Sequence, residues 1–558
     1  MITLDRIRLI FCLGFSYGDM FKFFDIKSKT ITTSAVILAV SSTISAFLGI
    51  FRDRLLAGTF GAGSDLDIYF AAFRIPNFVY GVLITGGLIA AFLPVFSETF
   101  EEDEEEGWEL ASNLLNFLLL ALSGLSFLLL ILAPWVVRIV APGFTPDQME
   151  LTVTLTRIMM ISPIFLGVSS LFSGVLKYFD QFFTYGLAPI LYNLGIIFGI
   201  VFFYPLFGLP GLAYGVVLGA FFHLIIQVPT VFRAGFGYRP IINLSSKKLR
   251  RIVHLIIPRM IGQASNQINL VVITAIASTL AAGSLSVFNF SDHLQAFPVR
   301  VIGLSFAVAA FPRFSKSLAN GETKIFLDNF SNSVRKIVFA IVPISFLTFI
   351  MRGQIVRLVL GTGEFGWEDT RLTAAALGIF SFSLVANALV HLLVRAYFSM
   401  QDTKTPLYVS IGSVILNISL SLIFIFVLKS TDFLHSGLTY FLRLENLSNI
   451  EVLAFPLAFL FSITAQFLIL YLLLEKRIGD LRRQEIIDSA IRVLGSSIVM
   501  TIVAFFSLRA MVNLVTLDTF LNVLAQFSVT LFFSIIAYLL AAVIFDSPEM
   551  KAILKKIL

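Results

Sequence analysis

The sequence predicts an all-α polytopic membrane protein with about 14 transmembrane helices, arranged as two parallel six-helix repeats around a central cavity plus two further C-terminal helices. Three observations predict it. The 558 residues are 58% hydrophobic and only 13% charged, with a mean hydropathy of +0.92, where a soluble domain carries roughly one-quarter charged residues. The apolar residues fall into fourteen runs, and a bilayer crossing takes about 20 residues. Short motifs from the first part of the chain recur, in order, at offsets of 220, 218, 219 and 224 residues.

Residues 1–30 surround a short apolar stretch, Leu9 to Phe15, with Lys and Arg; it is too brief to span, lacks a small-residue cleavage pattern, and reads as a cytoplasmic or interfacial leader. The runs then lie at 31–51, 66–97, 110–140, 149–177, 182–206, 209–232, 252–281, 284–312, 325–351, 371–400, 406–428, 450–474, 486–514 and 520–545. Gly, Pro or short charged turns separate most of them, and no connection is long enough for a soluble domain.

Lys and Arg set orientation. Arg233, Arg239, Lys247, Lys248, Arg250 and Arg251, then Lys476, Arg477, Arg482 and Arg483, then Lys551, Lys555 and Lys556 all fall on one side of the span count, which places both termini in the cytoplasm. The acidic run Glu101 to Glu106 lies on that side and reads as a solvated turn.

The repeat divides the chain. Ala62-Gly-Ser64 recurs as Ala282-Gly-Ser284, Pro94 to Ser97 as Pro312 to Ser315, Tyr178-Phe179 as Tyr397-Phe398, and Asn193 as Asn417. This gives an N-terminal lobe at 31–250, a C-terminal lobe at 251–475 and two extra helices in 476–558. Six helices per copy is an even number, so both copies enter the membrane from the same side.

The formal charge of +6 comes from 40 Lys plus Arg against 34 Asp plus Glu. These charges belong to loops and carry no nucleic-acid signature. The lone Cys12 makes no intrachain disulfide, and the five histidines show no metal-ligand spacing, so no metal or other cofactor is expected. No catalytic carboxylate pair or nucleophile motif sits on a long loop, which argues against an enzyme.

Ionisable residues at membrane depth cost about 2.5–3.5 kcal/mol on insertion scales, so they are the functional candidates. The first helix reads as ending at Arg52, Asp53 and Arg54, which either face a wet cavity or snorkel to the interface. Asp67 and Arg74 are seven residues, two turns, apart and share a face; each either faces the cavity or pairs with another helix. Ser286, Asn289 and His293 form a stripe at i, i+3, i+7, which lines a water-filled path or glues helices together. His223, His254 and His391 read as packing or interface residues, and Asp402 as the cap of the helix beginning near Pro406.

Ser45 to Asp53, Phe60 to Gly63, Asp67, Phe73 to Asn77 and Ala91 to Glu98, followed by Ala141 to Phe144, Pro258 to Gly262, Gln267 to Asn269, Ala282 to Ser284, Gly363 to Phe365 and Arg395 to Pro406, together resemble the MurJ (MviN) family of lipid II flippases within the MOP exporter superfamily. The resemblance covers 31 to about 420. It implies a transporter, in the bacterial cytoplasmic membrane, that moves the undecaprenyl-diphosphate-linked peptidoglycan precursor outward by alternating access, with membrane lipids and cell-wall synthesis enzymes as further partners. Diphosphate suits Arg, whose planar fork gives bidentate bonds. The last two helices would hold the polyprenyl tail. Carried over by position, Arg52, Asp53, Asp67, Arg74, Asn193, Ser286, His293 and Arg300 become the substrate-binding candidates, Arg300 as a substitute charge. Ala46, Tyr80 and His293 stand where relatives are often basic, which leaves another lipid-linked oligosaccharide or a soluble cargo as the alternative. The apolar Val271, Val272 and Ile273 give no basis for an ion site.

Overall fold

The computed structural model describes residues 31–557 except 86, 446, 448 and 515–518; the leader expected at 1–30 lies outside them. The described residues are helical, without a strand. Twelve helices are long and apolar enough to cross a membrane, and two bent pairs, Lys247–Ile257 with Gly262–Ala277 (48°) and Trp367–Ser381 with Leu384–Ser399 (49°), bring the number to fourteen. The fourteen apolar runs correspond to these spans.

The boundaries differ where proline, glycine or tertiary partners override the apolar pattern. The first helix runs from Ile31 to Phe60, so Arg52, Asp53 and Arg54 lie inside it and not at its end. It stops where the chain needs a left-handed residue: Gly61 has φ +63° and donates its N–H to the Ala57 carbonyl. The run at 66–97 comprises the helix Ser64–Val79, a π-helical turn Tyr80–Thr85 and the helix Leu88–Glu102. Pro76 removes one ladder donor a turn earlier. Another π-helical turn, Val299–Leu304, directly follows Pro298. Three connections and tails also form helices that the apolar runs do not show: Arg352–Val359, Asp432–Leu442 and Pro548–Ile557.

The chain divides into two compact units. Among the described residues the first comprises 31–52, Ile75–Val136 and Val153–Ala264; the second comprises Asp53–Arg74, Val137–Thr152 and 265–557. In lipid no hydrophobic force drives helices together, so close packing of small residues must do it. In the first unit, the helices Phe182–Phe198 and Leu209–Ile225 touch backbone to backbone: a Cβ on Gly195 would lie 2.3 Å from the Gly219 Cα, and one on Gly199 would lie 2.5 Å from the Gly215 Cα. In the second unit a core of Phe314, Phe326, Phe330 and Tyr397 is fully buried, and the Tyr397 hydroxyl donates to the Leu470 carbonyl at 2.9 Å.

The acidic run is exposed, as expected of a solvated turn, and part of it is also ion-paired. In the first unit Arg239 bridges Glu105 and Glu109 at 2.8 Å each, Lys248 pairs with Glu106 at 2.8 Å, and Arg251 pairs with Glu98 at 2.8 Å. Asn113 and Asn116 reinforce the joint by donating to the backbone carbonyls of Asn243, Arg239 and Ile241. The acidic and basic clusters, about 140 residues apart in sequence, are each other's counter-charge.

Candidate functional site

Within the second unit a polar seam joins residues 53–74 to the helix Ser284–Pro298. Asp67 is buried, and its carboxylate accepts three hydrogen bonds: from the Ser286 N–H at 2.8 Å, the Ser286 hydroxyl at 2.6 Å and the Gly283 N–H at 2.7 Å. It thereby caps the start of that helix, where N–H groups have no intrahelical partner and the helix dipole favours negative charge. Two turns along, Arg74 donates from Nε to the Thr274 hydroxyl at 2.7 Å and from Nη2 to the Asn289 side-chain carbonyl at 2.6 Å. Asp53 Oδ2 and His293 Nδ1 are 2.9 Å apart.

Each member of the Ser286, Asn289, His293 stripe therefore meets one charged residue: Asp67, Arg74 and Asp53 respectively. In this conformation the stripe joins helices. Phe70, on the same face as Asp67 and Arg74, packs edge-on against Phe290 at 5.7 Å and His293 at 6.5 Å.

Beside this seam, four turns of the second unit converge on glycine. The Glu364 N–H donates to the Gly58 carbonyl at 2.9 Å, and the Ala62 N–H donates to the Asp369 carboxylate at 3.2 Å. Gly143 donates to the Ser278 hydroxyl at 3.1 Å, and Gln148 reaches the Ser64 hydroxyl at 2.6 Å. A Cβ on Gly283 would lie 1.9 Å from the Ala62 carbonyl oxygen, one on Gly363 would lie 2.1 Å from that of Gly58, and one on Gly143 would lie 2.2 Å from that of Ser278. Glycine is what permits these segments to meet. The motifs Ala141 to Phe144, Ala282 to Ser284 and Gly363 to Phe365 supply these contacts, although spacing alone does not show that they touch.

Arg54 is also held in the second unit. It donates to the carbonyls of Leu358 at 2.5 Å and Val359 at 3.4 Å, and its guanidinium lies 5.0 Å from the centre of the Phe520 ring. These carbonyls end the helix Arg352–Val359, so the cation fills the role of a C-terminal cap.

Arg52 and Asn193 meet in the first unit. Arg52 Nη1 donates to the Asn193 side-chain carbonyl at 3.3 Å, while the Asn193 amide donates to Ser45 Oγ at 3.3 Å and to the Pro189 carbonyl at 3.1 Å. Arg300 is exposed in the π-helical turn Val299–Leu304 and makes no hydrogen bond or ion pair with the described residues. Thr274, the hydroxyl that holds Arg74, carries no signal in its sequence surroundings of Val271, Val272 and Ile273. Among the described residues no group of three or more His, Cys, Asp or Glu side chains is placed to hold a metal ion.

This geometry belongs to a known architecture. The family model described as lipid II flippase MurJ matches residues 56–525. A probable lipid II flippase MurJ of Buchnera aphidicola subsp. Schizaphis graminum is 31% identical over 413 residues, 73% of this chain and 79% of the relative. Its counterpart in Buchnera aphidicola subsp. Acyrthosiphon pisum is 28% identical and covers 90% of this chain and 95% of its own. Among solved structures, a lipid II flippase MurJ in an inward closed conformation superposes with a TM-score of 0.73 at 20% identity, covering 93% of this chain and all of that one. An inward-facing MATE transporter of the MOP superfamily superposes at 0.66 with 15% identity over 81% of this chain. The chain is a multi-pass membrane protein of the transporter class and belongs to the lipid II flippase MurJ family.

Proposed function

We propose that this chain translocates lipid II, the undecaprenyl-diphosphate-linked peptidoglycan precursor, from the cytoplasmic to the outer face of the bacterial cytoplasmic membrane by alternating access, with both termini cytoplasmic. The family match supports the cargo. The observation that carries the mechanism is the Asp67 joint, because a buried carboxylate holding the start of a transmembrane helix with three hydrogen bonds is a closure that can open and re-form without covalent change. Opening exposes the charges that the seam now satisfies internally. Arg52 and Arg74 then hold the diphosphate through bidentate bonds, and Asp53 and Asp67 exchange partners between states. Lobes at 31–250 and 251–475 move against each other, while 476–558 carry the polyprenyl tail. The exposed Phe505, Phe506, Phe532 and Phe533 supply an apolar surface for that tail. Asn193 positions Arg52, and Ser286, His293 and Arg300 complete the set. Cell-wall synthesis enzymes are the partners such a flux would feed.

A second reading, transport of a different lipid-linked oligosaccharide or a soluble cargo, is favoured by Ala46, Tyr80 and His293, which stand where the family resemblance implies basic side chains. One experiment separates the readings. In cells depleted of their own flippase, expression of the wild-type chain should expose lipid II on the outer face, and an equally expressed, folded Arg52→Ala variant should not. No exposure from a correctly inserted wild type would overturn the lipid II reading; normal exposure from the variant would remove Arg52 from the mechanism.

A further inference from the structure

Away from the seam, the second unit gathers three arginines from three segments. Arg352 opens the helix Arg352–Val359, Arg371 lies in the first turns of Trp367–Ser381, and Arg443 follows Asp432–Leu442. Arg371 donates to the Arg443 backbone carbonyl, and Arg352 donates to the Phe349 carbonyl at 2.7 Å. Among the described residues no carboxylate forms an ion pair with any of the three. Burial, and after it the like charge of Arg443, push the Arg352 guanidinium below its ordinary value. Arg352 and Arg371 donate only to backbone carbonyls, and the Arg443 guanidinium has no hydrogen bond to the described residues, so most of the donors of these cations are unused.

The fold maintains this arrangement against its own preferences. Arg443 occupies the left-handed position after a helix at φ +58°, where glycine is favoured. Gly378 leaves room for Arg352, since a Cβ there would lie 2.8 Å from the Arg352 Cδ. The surroundings are those of a membrane interface. Tyr440 and Phe441 are 82% and 61% exposed, Phe441 stacks on Phe349 at 5.9 Å, and Arg352 lies 4.9 Å from the centre of the Phe349 ring. Exposed aromatics beside cations mark the headgroup level of a bilayer.

We infer that Arg352, Arg371 and Arg443 form a binding site for the phosphate of an anionic membrane lipid, with Tyr440 and Phe441 against its acyl chains. Guanidinium forks match phosphate oxygens, and the bound anion relieves the mutual repulsion. The inference does not depend on the cargo of the transporter.

The test uses the full chain in neutral detergent, titrated separately with phosphatidylglycerol, phosphatidylcholine and inorganic pyrophosphate, with thermal unfolding and native mass spectrometry as readouts. Phosphatidylglycerol should raise the wild-type Tm and add bound lipid, and phosphatidylcholine should not. Arg443→Gln, at an exposed position, should weaken the apparent phosphatidylglycerol affinity about tenfold, and the triple Arg352→Gln, Arg371→Gln, Arg443→Gln variant should lose the response. An unchanged response in Arg443→Gln would overturn the site. An equal Tm shift from pyrophosphate at the same concentration would overturn its assignment to a lipid.

Discussion

Asp67 and Ser286 are bonded twice, the carboxylate Oδ1 accepting the backbone N–H at 2.8 Å and the hydroxyl at 2.6 Å. The two contacts differ in replaceability. Removing the hydroxyl leaves both backbone bonds to Asp67, whereas removing the charge weakens all three and, in asparagine, turns an amide donor toward a backbone donor. Hydrogen bonds to charged groups contribute about 1.5–3 kcal/mol and neutral ones about 1 kcal/mol. Asp67→Asn should therefore lower flux by at least about tenfold, and Ser286→Ala by several-fold at most. Lipid II exposure normalised to protein level checks the order, and equal loss in the two variants would contradict it.

The glycine turns make a steric prediction. Alanine at Gly283 or Gly363 places Cβ 1.9 or 2.1 Å from a carbonyl oxygen, at φ +87° and +54°. The φ values alone cost about 1–3 kcal/mol, and the clash adds to that by forcing the turns apart. Either substitution should make a cysteine at Ala62 or Thr362 more reactive to a membrane-impermeant thiol reagent applied from outside. Gly124→Ala, with nothing within 4 Å of the added carbon, is the matched control and should leave reactivity unchanged.

Asp402 links a helix start to a charge. Its carboxylate accepts from the Lys404 and Thr405 N–H groups at 3.1 and 3.0 Å and from Arg477 at 2.6 Å. Burial raises its pKa, but the bonds from Thr405 and Arg477 outweigh that, and the group titrates below its ordinary value. A depressed carboxylate contributes stability above its unfolded pKa of about 3.9 and loses it as pH falls through the folded value. Asp402→Ala should cost about 0.5–2 kcal/mol at neutral pH, and the gap in Tm between variant and wild type should close as pH drops below about 4. A gap that persists there would assign the loss to packing.

The spans were legible because lipid imposes one rule on every segment, and the shared face of Asp67 and Arg74 was legible because seven residues make two turns. Their partners were not. Thr274 sits in an apolar run and joins the polar seam only because another helix delivers Arg74 to it. Arg52, Asp53 and Arg54 resemble a helix end in sequence, yet the helix continues because Asn193, His293 and the Leu358 and Val359 carbonyls satisfy them at depth. The same holds for Glu101 to Glu106, whose counter-charges lie about 140 residues away. Local pattern specifies the element; only the fold specifies which polar group answers which.

The Asp53–His293 pair bears directly on the cargo. The two groups are 2.9 Å apart, with the carboxylate side chain 9% exposed and the ring 36% exposed. Arginine at this position would be permanently charged and present five donors, so it could hold Asp53 and still offer a fork to phosphate. Histidine that engages Asp53 through one ring nitrogen has one nitrogen left. If the chain moves lipid II with fewer cations, His293→Arg should retain or raise flux, while His293→Leu, which removes a hydrogen bond to a carboxylate, should lower it about tenfold. If histidine instead adapts the chain to another cargo, His293→Arg should be inactive in its own cells and should gain lipid II exposure in flippase-depleted ones. Measuring both variants in both backgrounds separates these outcomes, because the first requires the arginine to be tolerated at home and the second requires that it not be.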